Sequence, residues 1–325
     1  MLSTTTKAGG EYRAVLRKGS RTGPIISDTG WKNNTVLDYG LYSILTWDGW
    51  AWSLWYGDSG VAATTSQLGL QGNLIPRTGG ADYVSHENAA VTSSIGPGPE
   101  YPVSVTEEWI SEVGEHTATI REFVLGHDSQ SPITNAAVRV ALDVPIVKGP
   151  DDVLTMQYRF TYYLDNTTKT GVIDISGVDY NYKFRRQQIS YKPHSHQYQQ
   201  WVLAGSYTYF KVRAILTDNG DIQPIESRVS DSPNTVVDTY LDLGDRTGLI
   251  LNTGGTTPNF YRTLGATVDV DNFNGTFDMV QFEFGNGQGG CQVHLAKVSD
   301  GTPFTKLNTH TFQIQMRLYL ERYVP

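Results

Sequence analysis

One cysteine, Cys291, stands alone in 325 residues, so no disulfide framework can form within the chain. Charged side chains are scarce as well, at 18% against the usual ~25%. Basic residues are the scarcer sign, 25 Lys+Arg against 33 Asp+Glu, for a formal charge of -8. Clustered Lys and Arg are what neutralise phosphates, so the balance argues against nucleic acid or an anionic membrane as partner. No apolar run approaches the ~18 residues of a membrane span. The opening Met1-Leu-Ser-Thr-Thr-Thr-Lys7 has neither the charged nor the apolar region of a secretory leader, which predicts none. The lone thiol then suits a soluble protein made in a reducing compartment.

Enzyme signatures are missing too. There is no Gly-x-Ser-x-Gly, His-Glu-x-x-His or Walker-type loop. Gly285-Asn-Gly-Gln-Gly-Gly290 has dinucleotide-loop spacing but no helix after it, and reads as a hairpin loop. The adjacent carboxylates Glu107 and Glu108 belong to opposite strand faces, which does not suit a paired acid and base. Cys291 with His294 nearby reads as a buried thiol, not a nucleophile dyad. No enzyme and no cofactor are expected.

What the chain has is alternation. In VLTMQYRFTYYL, residues 153–164, Leu154, Met156, Tyr158, Phe160 and Tyr162 share one face, with Thr155, Gln157, Arg159 and Thr161 on the other. Near the end, Phe312, Ile314, Met316, Leu318 and Leu320 point inward, and Gln313, Gln315, Arg317 and Tyr319 outward. Residues 207–216, 137–144 and 279–284 give further strands. Glycine, at 33 residues, falls in the breaks, as in Lys148-Gly-Pro-Asp151, Asp218-Asn-Gly220, Gly254-Gly-Thr-Thr-Pro258 and Ser299-Asp-Gly301. The best helical candidate is residues 35–45, capped by Asn33 or Asn34 and weakened by Gly40. The expected class is all-β.

Short landmarks recur in the same order in both halves. Asn34-Thr-Val-Leu-Asp38 returns as Asn234-Thr-Val-Val-Asp238, and Glu112-Val-Gly114 as Glu283-Phe-Gly285. Each series ends in one of the long alternating strands. This order suggests duplication: two tandem β-sandwich, jelly-roll-like domains, residues 1–165 with a Trp-rich insert and residues 166–325.

Four motifs in the first half carry a family resemblance. Asp28-Thr-Gly-Trp-Lys-Asn-Asn-Thr-Val-Leu-Asp-Tyr-Gly-Leu41 resembles the TGWFxNLILDxGL opening of structural proteins of tailed bacteriophages. Tyr56-Gly-Asp-Ser-Gly-Val-Ala-Ala-Thr-Thr-Ser-Gln-Leu68 is similar to their VGTGxxxPxxxxTxL segment, with Ala62-Ala63 where the proline would stand. Trp109-Ile-Ser-Glu-Val-Gly114 resembles their EVG strand, and the run from Pro145 to Tyr158 their PITVxxGDxLTVxY strand. The resemblance implies a virion component of the tail, baseplate, collar or attached fibres, assembled in the host cytoplasm. The partners implied are other virion proteins and further copies of the chain, as trimers or cyclic rings. A rival reading of another class is a host-surface glycan (receptor) binding module that uses the loop from Trp47 to Tyr56; a third, a capsid-decoration or head-fibre protein, shares the fold and differs only in partner.

Candidate site residues are few. Trp47, Trp50, Trp52, Trp55 and Tyr56 form the densest aromatic cluster, which suits core, a subunit interface or a platform for glycan. His194 and His196 share a strand face, a weak metal-binding candidate against the reading of exposed loop histidines. Asp269-Val-Asp-Asn-Phe-Asn-Gly275 departs from a calcium loop at its fifth and sixth positions and reads as an Asx-rich turn. Lys183-Phe-Arg-Arg186 is a short basic patch, read as a strand face or a salt-bridged contact.

Overall fold

The computed structural model describes residues 2–34, 36–41, 53–78, 81–93, 100–126, 132–187, 210–215, 235–240, 260–268, 275–284 and 289–323. The chain is all-β, as the alternation predicts. The first strands are β1 (Leu2–Lys18), β2 (Ile25–Asp28), β3 (Lys32–Asn34), β4 (Ser53–Gly57), β5 (Val84–Ser93), β6 (Glu100–Ser111) and β7 (Ala118–Gly126). Next come β8 (Val138–Lys148), β9 (Asp152–Asp165), β10 (Lys169–Ile175), β11 (Val178–Gln187), β12 (Phe210–Ile215) and β13 (Thr235–Tyr240). The last are β14 (Phe260–Val268), β15 (Gly275–Phe277), β16 (Met279–Phe284), β17 (Gly289–Lys297), β18 (Phe304–Lys306) and β19 (Phe312–Arg322).

An 11-stranded sheet runs β14-β19-β1-β9-β6-β5-β4-β7-β8, with β2 and β3 also on β1. A 6-stranded sheet runs β10-β11-β17-β16-β12-β13. The large sheet cannot be flat. β1 and β7 are five lanes apart, about 24 Å at ~4.8 Å per lane. Yet the Tyr12 and Phe123 rings of those strands meet edge to face at 5.6 Å. The sheet therefore turns back over itself, and the first core fills the fold with Leu54, Trp109, Val140, Met156 and Phe160 among others. A second core lies between the six-stranded sheet and β19, with Phe184, Phe282, Val293, Phe312 and Met316.

The N-terminal strand joins the two halves. β1 pairs antiparallel with β9 from Thr6 to Lys18, and parallel with β19 from Leu2 to Ala8. The two long alternating strands thus flank one shared neighbour. Inward positions of β1 are Thr4, Thr6, Ala8, Gly10, Tyr12 and Ala14, mostly small. Gly10 is required there, because a Cβ would collide with the Tyr158 hydroxyl.

The repeated pentapeptide has two structures. Asn234-Thr-Val-Val-Asp238 lies largely within β13, whereas its first copy runs from the end of β3 into a helical turn at residues 38–41. That turn is closed by the Leu41 amide donating to the Leu37 carbonyl at 3.1 Å. Gly40 has a positive role in it, since a Cβ would run into the Ala137 carbonyl. The loops around residues 218, 254 and 269–274 lie outside the described residues.

Candidate interaction surface

Trp55 and Tyr56 take the core place among the readings that the aromatic cluster allowed. Both sit on β4, whose five residues are all buried. Trp55 is packed with Leu37, Leu70 and Val124, and its ring meets Tyr83 at 5.8 Å. Tyr56 points the other way, into the first core, with the His116 ring edge-on at 5.0 Å. A glycan platform needs an exposed ring face, and neither residue offers one. Trp47, Trp50, Trp52, His194 and His196 lie outside the described residues. Among the described residues no three His, Cys, Asp or Glu side chains are placed to hold a metal ion.

The four landmark motifs are bonded to one another. The Asp38 amide of the first donates to the Thr65 carbonyl of the second at 2.9 Å. The Gly114 amide of the third donates to the Pro150 carbonyl of the fourth at 2.7 Å. Asp28 accepts from the Gly30 amide at 2.9 Å and from the Arg13 guanidinium, which holds its carboxyl down to about 2. Asn34 donates to the Tyr158 hydroxyl at 3.1 Å.

A buried ion pair pins the second landmark. Arg139 on β8 and Glu122 on β7 are both at 0% side-chain exposure, with Arg139 Nε 2.7 Å from Glu122 Oε2. Two buried charges persist only when their remaining donors and acceptors are also satisfied. Arg139 Nη1 donates to Gln67 Oε1 at 2.9 Å, and Nη2 to the Val61 carbonyl at 2.7 Å. Glu122 Oε1 accepts the Gly72 amide at 2.7 Å. The loop over residues 58–75 is thereby fastened to the β7–β8 layer. Alternation alone gave no sign of it, because Arg139 has the parity of a solvent-facing position.

Lys148 does the same for the third landmark. Its ammonium donates to the Glu112 carbonyl at 2.9 Å and the Glu115 carbonyl at 2.7 Å, and burial holds its pKa below the ordinary lysine value. In the same turn His116 has a φ of 45° and shares a 2.8 Å hydrogen bond between Nδ1 and Ser111 Oγ. A serine beside a histidine invites a nucleophile–base reading. Both residues are at 0% exposure, however, so no substrate reaches them. Burial lowers the His116 pKa to about 4, keeping the ring neutral where it fastens the turn.

The other candidates scatter. Glu107 faces the first core, while Glu108 on the opposite face accepts from Gln157 at 2.8 Å. Cys291 is in the second core with its thiol pushed up to about 12 by burial, and His294 lies on the other face of β17. The basic patch divides, since Arg186 turns inward to donate to Thr6 Oγ1 while Lys183 and Arg185 take the other face of β11.

The outward face of β14, β19, β1, β9 and β6 is a different matter. Arg317 stacks on Tyr261 at 4.3 Å and donates to the Tyr319 hydroxyl at 3.2 Å. Tyr163 and Tyr323 stack at 3.9 Å with an 18° interplanar angle. Arg159 lies 3.9 Å over the Trp31 ring and donates to Glu11 at 3.2 Å. Ser104 and Thr161 are joined at 2.8 Å. Tyr, Trp and Arg are the residues enriched in protein interfaces, and cross-strand bonding fixes these rotamers in advance. Five lanes by four or five outward residues span on the order of 600 Å², close to the ~800 Å² that each partner gives to a standard interface.

Fold and surface define an all-β protein with a locked framework and a broad, ordered aromatic–arginine face. No family model, curated protein or solved structure matches the chain.

Proposed function

We propose that this chain is a structural component of a tailed-phage virion, of the tail, baseplate or collar, acting through protein–protein contacts and not as an enzyme. The observation that carries the reading is the outward face around Arg317, Tyr319, Tyr163 and Trp31, where aromatic rings and guanidinium groups are ordered in advance of any partner. The resemblance of four motifs supports it. So do the hydrogen bonds that join the motifs, Asp38 to Thr65, Gly114 to Pro150, Asn34 to Tyr158 and Lys148 to Glu112. On this reading the partners are other virion proteins and further copies of the chain, in a trimer or cyclic ring, and the protein resides in the virion after assembly in the host cytoplasm. The glycan-binding alternative loses support from the burial of Trp55 and Tyr56.

The reading is tested by light scattering on the purified chain and by immunogold labelling of intact particles. A trimer or ring is expected, with gold on the tail region. The double variant Arg317→Ala/Tyr319→Ala should leave the melting temperature nearly unchanged and shift the mass toward monomer. A strictly monomeric chain and unlabelled particles together would sink the proposal.

A further inference from the structure

Arg13, Arg21, Arg77, Arg139, Arg159 and Arg322 each have a carboxylate within 3.2 Å. Arg317 on β19 is different. Its guanidinium is held against the Tyr261 and Tyr319 rings, and no carboxylate pairs with it among the described residues. A guanidinium carries five N–H donors in a rigid fork. The bond made here goes to the Tyr319 hydroxyl, and Nε is buried without a partner. Glu321 stands four residues on, on the same outward face of β19. It is exposed and has no hydrogen bond or ion pair among the described residues. Lys7, its register partner on β1, makes its contacts elsewhere.

The spacing makes the strand complementary to itself. Arg317 and Glu321 lie on either side of Tyr319, about 14 Å apart at ~3.4 Å per residue. Consider a two-fold axis over Tyr319, parallel to the face and crossing β19. A second copy turned about it lays its β19 antiparallel over the first. Arg317 of one copy then meets Glu321 of the other, and the same rotation forms the reverse pair. Facing sheets stand about 10 Å apart, a gap that an arginine and a glutamate span together. Tyr319 and its register partner Tyr261, 5.6 Å from each other, fall on the axis. The contact thus has an aromatic centre and a charged pair at each end, which is the usual division of an interface.

We propose that the outward face pairs with a second copy of this chain across that two-fold axis, held by two reciprocal Arg317–Glu321 bonds around the tyrosines. Two arguments choose this occupant. The unpaired charges are opposite in sign, share one strand face and are exchanged by a single rotation, which satisfies both at once. Any other segment would have to bring a carboxylate to one end and a cation to the other at the same spacing. The area is sufficient too, since ~600 Å² on each copy makes about 1,200 Å² in all, the lower end of specific interfaces. The inference rests on the reading of this face as a contact surface. If the chain also forms a trimer or ring, this contact joins two of them face to face.

The test uses the full-length chain in sedimentation equilibrium, where the largest species should hold an even number of copies. Arg317→Glu sets carboxylates against each other and Glu321→Arg sets guanidinium groups against each other. Each alone should weaken the association at least tenfold. An equimolar mixture of the two variants should restore it, because one then supplies both carboxylates and the other both guanidinium groups. If Arg317→Glu melts early, Glu321→Arg should still weaken pairing more than Glu321→Gln does. A parent chain that is monomeric at millimolar concentration overturns the proposal, as does a largest species of three copies. Single variants that associate like the parent, or a mixture as weak as its components, overturn it too. Gold on the tail with a monomeric chain removes this inference and not the virion reading, whereas paired copies with unlabelled particles support it without the virion.

Discussion

The two cores are built from the same alternating strands but are closed in opposite ways. The first is sealed by loops, and loops bring backbone polar groups that need partners. Arg139, Glu122, Lys148 and His116 are the side chains that supply them, each buried and each bonded to a carbonyl, an amide or another side chain. The second core relies on rings. Phe277, Phe304 and Phe312 meet in pairs at 5.2, 6.1 and 5.3 Å, with Tyr180 against Phe304 at 5.5 Å. Buried polar groups lie beside it too: Arg186 donates to Thr6 Oγ1, and His294 Nε2 is 3.7 Å from Asp278. Polar fasteners close the first core under its loops, whereas packed rings fill the second, which keeps a cavity of about 610 Å³ beside it.

The sharpest way to break this contrast is to remove one fastener. Arg139→Met leaves Glu122 charged and buried without its partner, which costs about 3–5 kcal/mol. Urea unfolding followed by tryptophan fluorescence should show a loss of that size. The double variant Arg139→Met/Glu122→Gln should recover part of it, because no unpaired charge remains. Cys291 reports on the other core, since its buried thiol reacts with a disulfide reagent only when that core opens. In Arg139→Met its labelling rate at low urea should stay near that of the parent. Acceleration in step with global unfolding would show that the shared strand β1 makes the two cores one cooperative unit.

Titration gives a second, smaller separation, because the strongly shifted His116 and Glu107 both belong to the first core. Burial raises the Glu107 pKa from 4.5 to about 8 and lowers that of His116 from 6.5 to about 4. The raised carboxyl keeps its proton in the folded state while the unfolded chain loses it, so its contribution to stability falls as pH rises from 4.5 to about 8. The depressed imidazole stays neutral in the folded state while the unfolded chain takes up a proton. Its contribution therefore falls as pH drops from 6.5 to about 4. Between pH 4.5 and 6.5 the two slopes oppose each other. Above 6.5 only Glu107 remains, with a slope of about 1.4 kcal/mol per pH unit, or about 2 kcal/mol by pH 8. Unfolding free energies measured across pH should show a plateau and then this decline. In Glu107→Gln the decline should vanish and stability should instead rise from pH 4 to 6.5. A decline that survives the substitution assigns it to other groups.

Sequence pattern told most where a strand has one apolar face. β9 and β19 follow their alternation residue by residue, because each lies with one face on a core and the other outward. β1 is the longest strand, yet between Leu2 and Leu16 its inward positions are threonine, alanine and glycine apart from Tyr12, so no strong apolar period marks it. At Gly10 the small residue is there because the Tyr158 ring of β9 occupies the space, which is a tertiary fact. Gly40 likewise reads as a weak point in a helix, although close approach to the Ala137 carbonyl is what demands it. The aromatic–arginine face was hidden for a related reason. Outward parity identified Arg317, Tyr319 and Arg159, but only the strand order β14-β19-β1-β9-β6 brings their strands into one face. β4 is covered on both faces, so Trp55 and Tyr56, adjacent in sequence, became two opposed core contacts, and their core role was among the readings open from sequence.

The smallest expected effect bears on the cavity beside the second core. Enlarging a side chain in a closed core forces strain of about 1–3 kcal/mol, whereas the same addition beside an empty volume has somewhere to go. Ile120 on β7 is fully buried in the first core, while Ile173 on β10 lines the 610 Å³ groove of the second. Ile120→Phe should therefore lower the unfolding free energy by about 1–3 kcal/mol, and Ile173→Phe by less than about 1 kcal/mol. The substitution is the same at both sites, so the difference reports mainly the room available at each. Equal losses in the two variants would mean that the β10–β11 hairpin is already seated and that the cavity offers Ile173 no room for a larger side chain, whereas a smaller loss for Ile173→Phe would place the added ring in that volume.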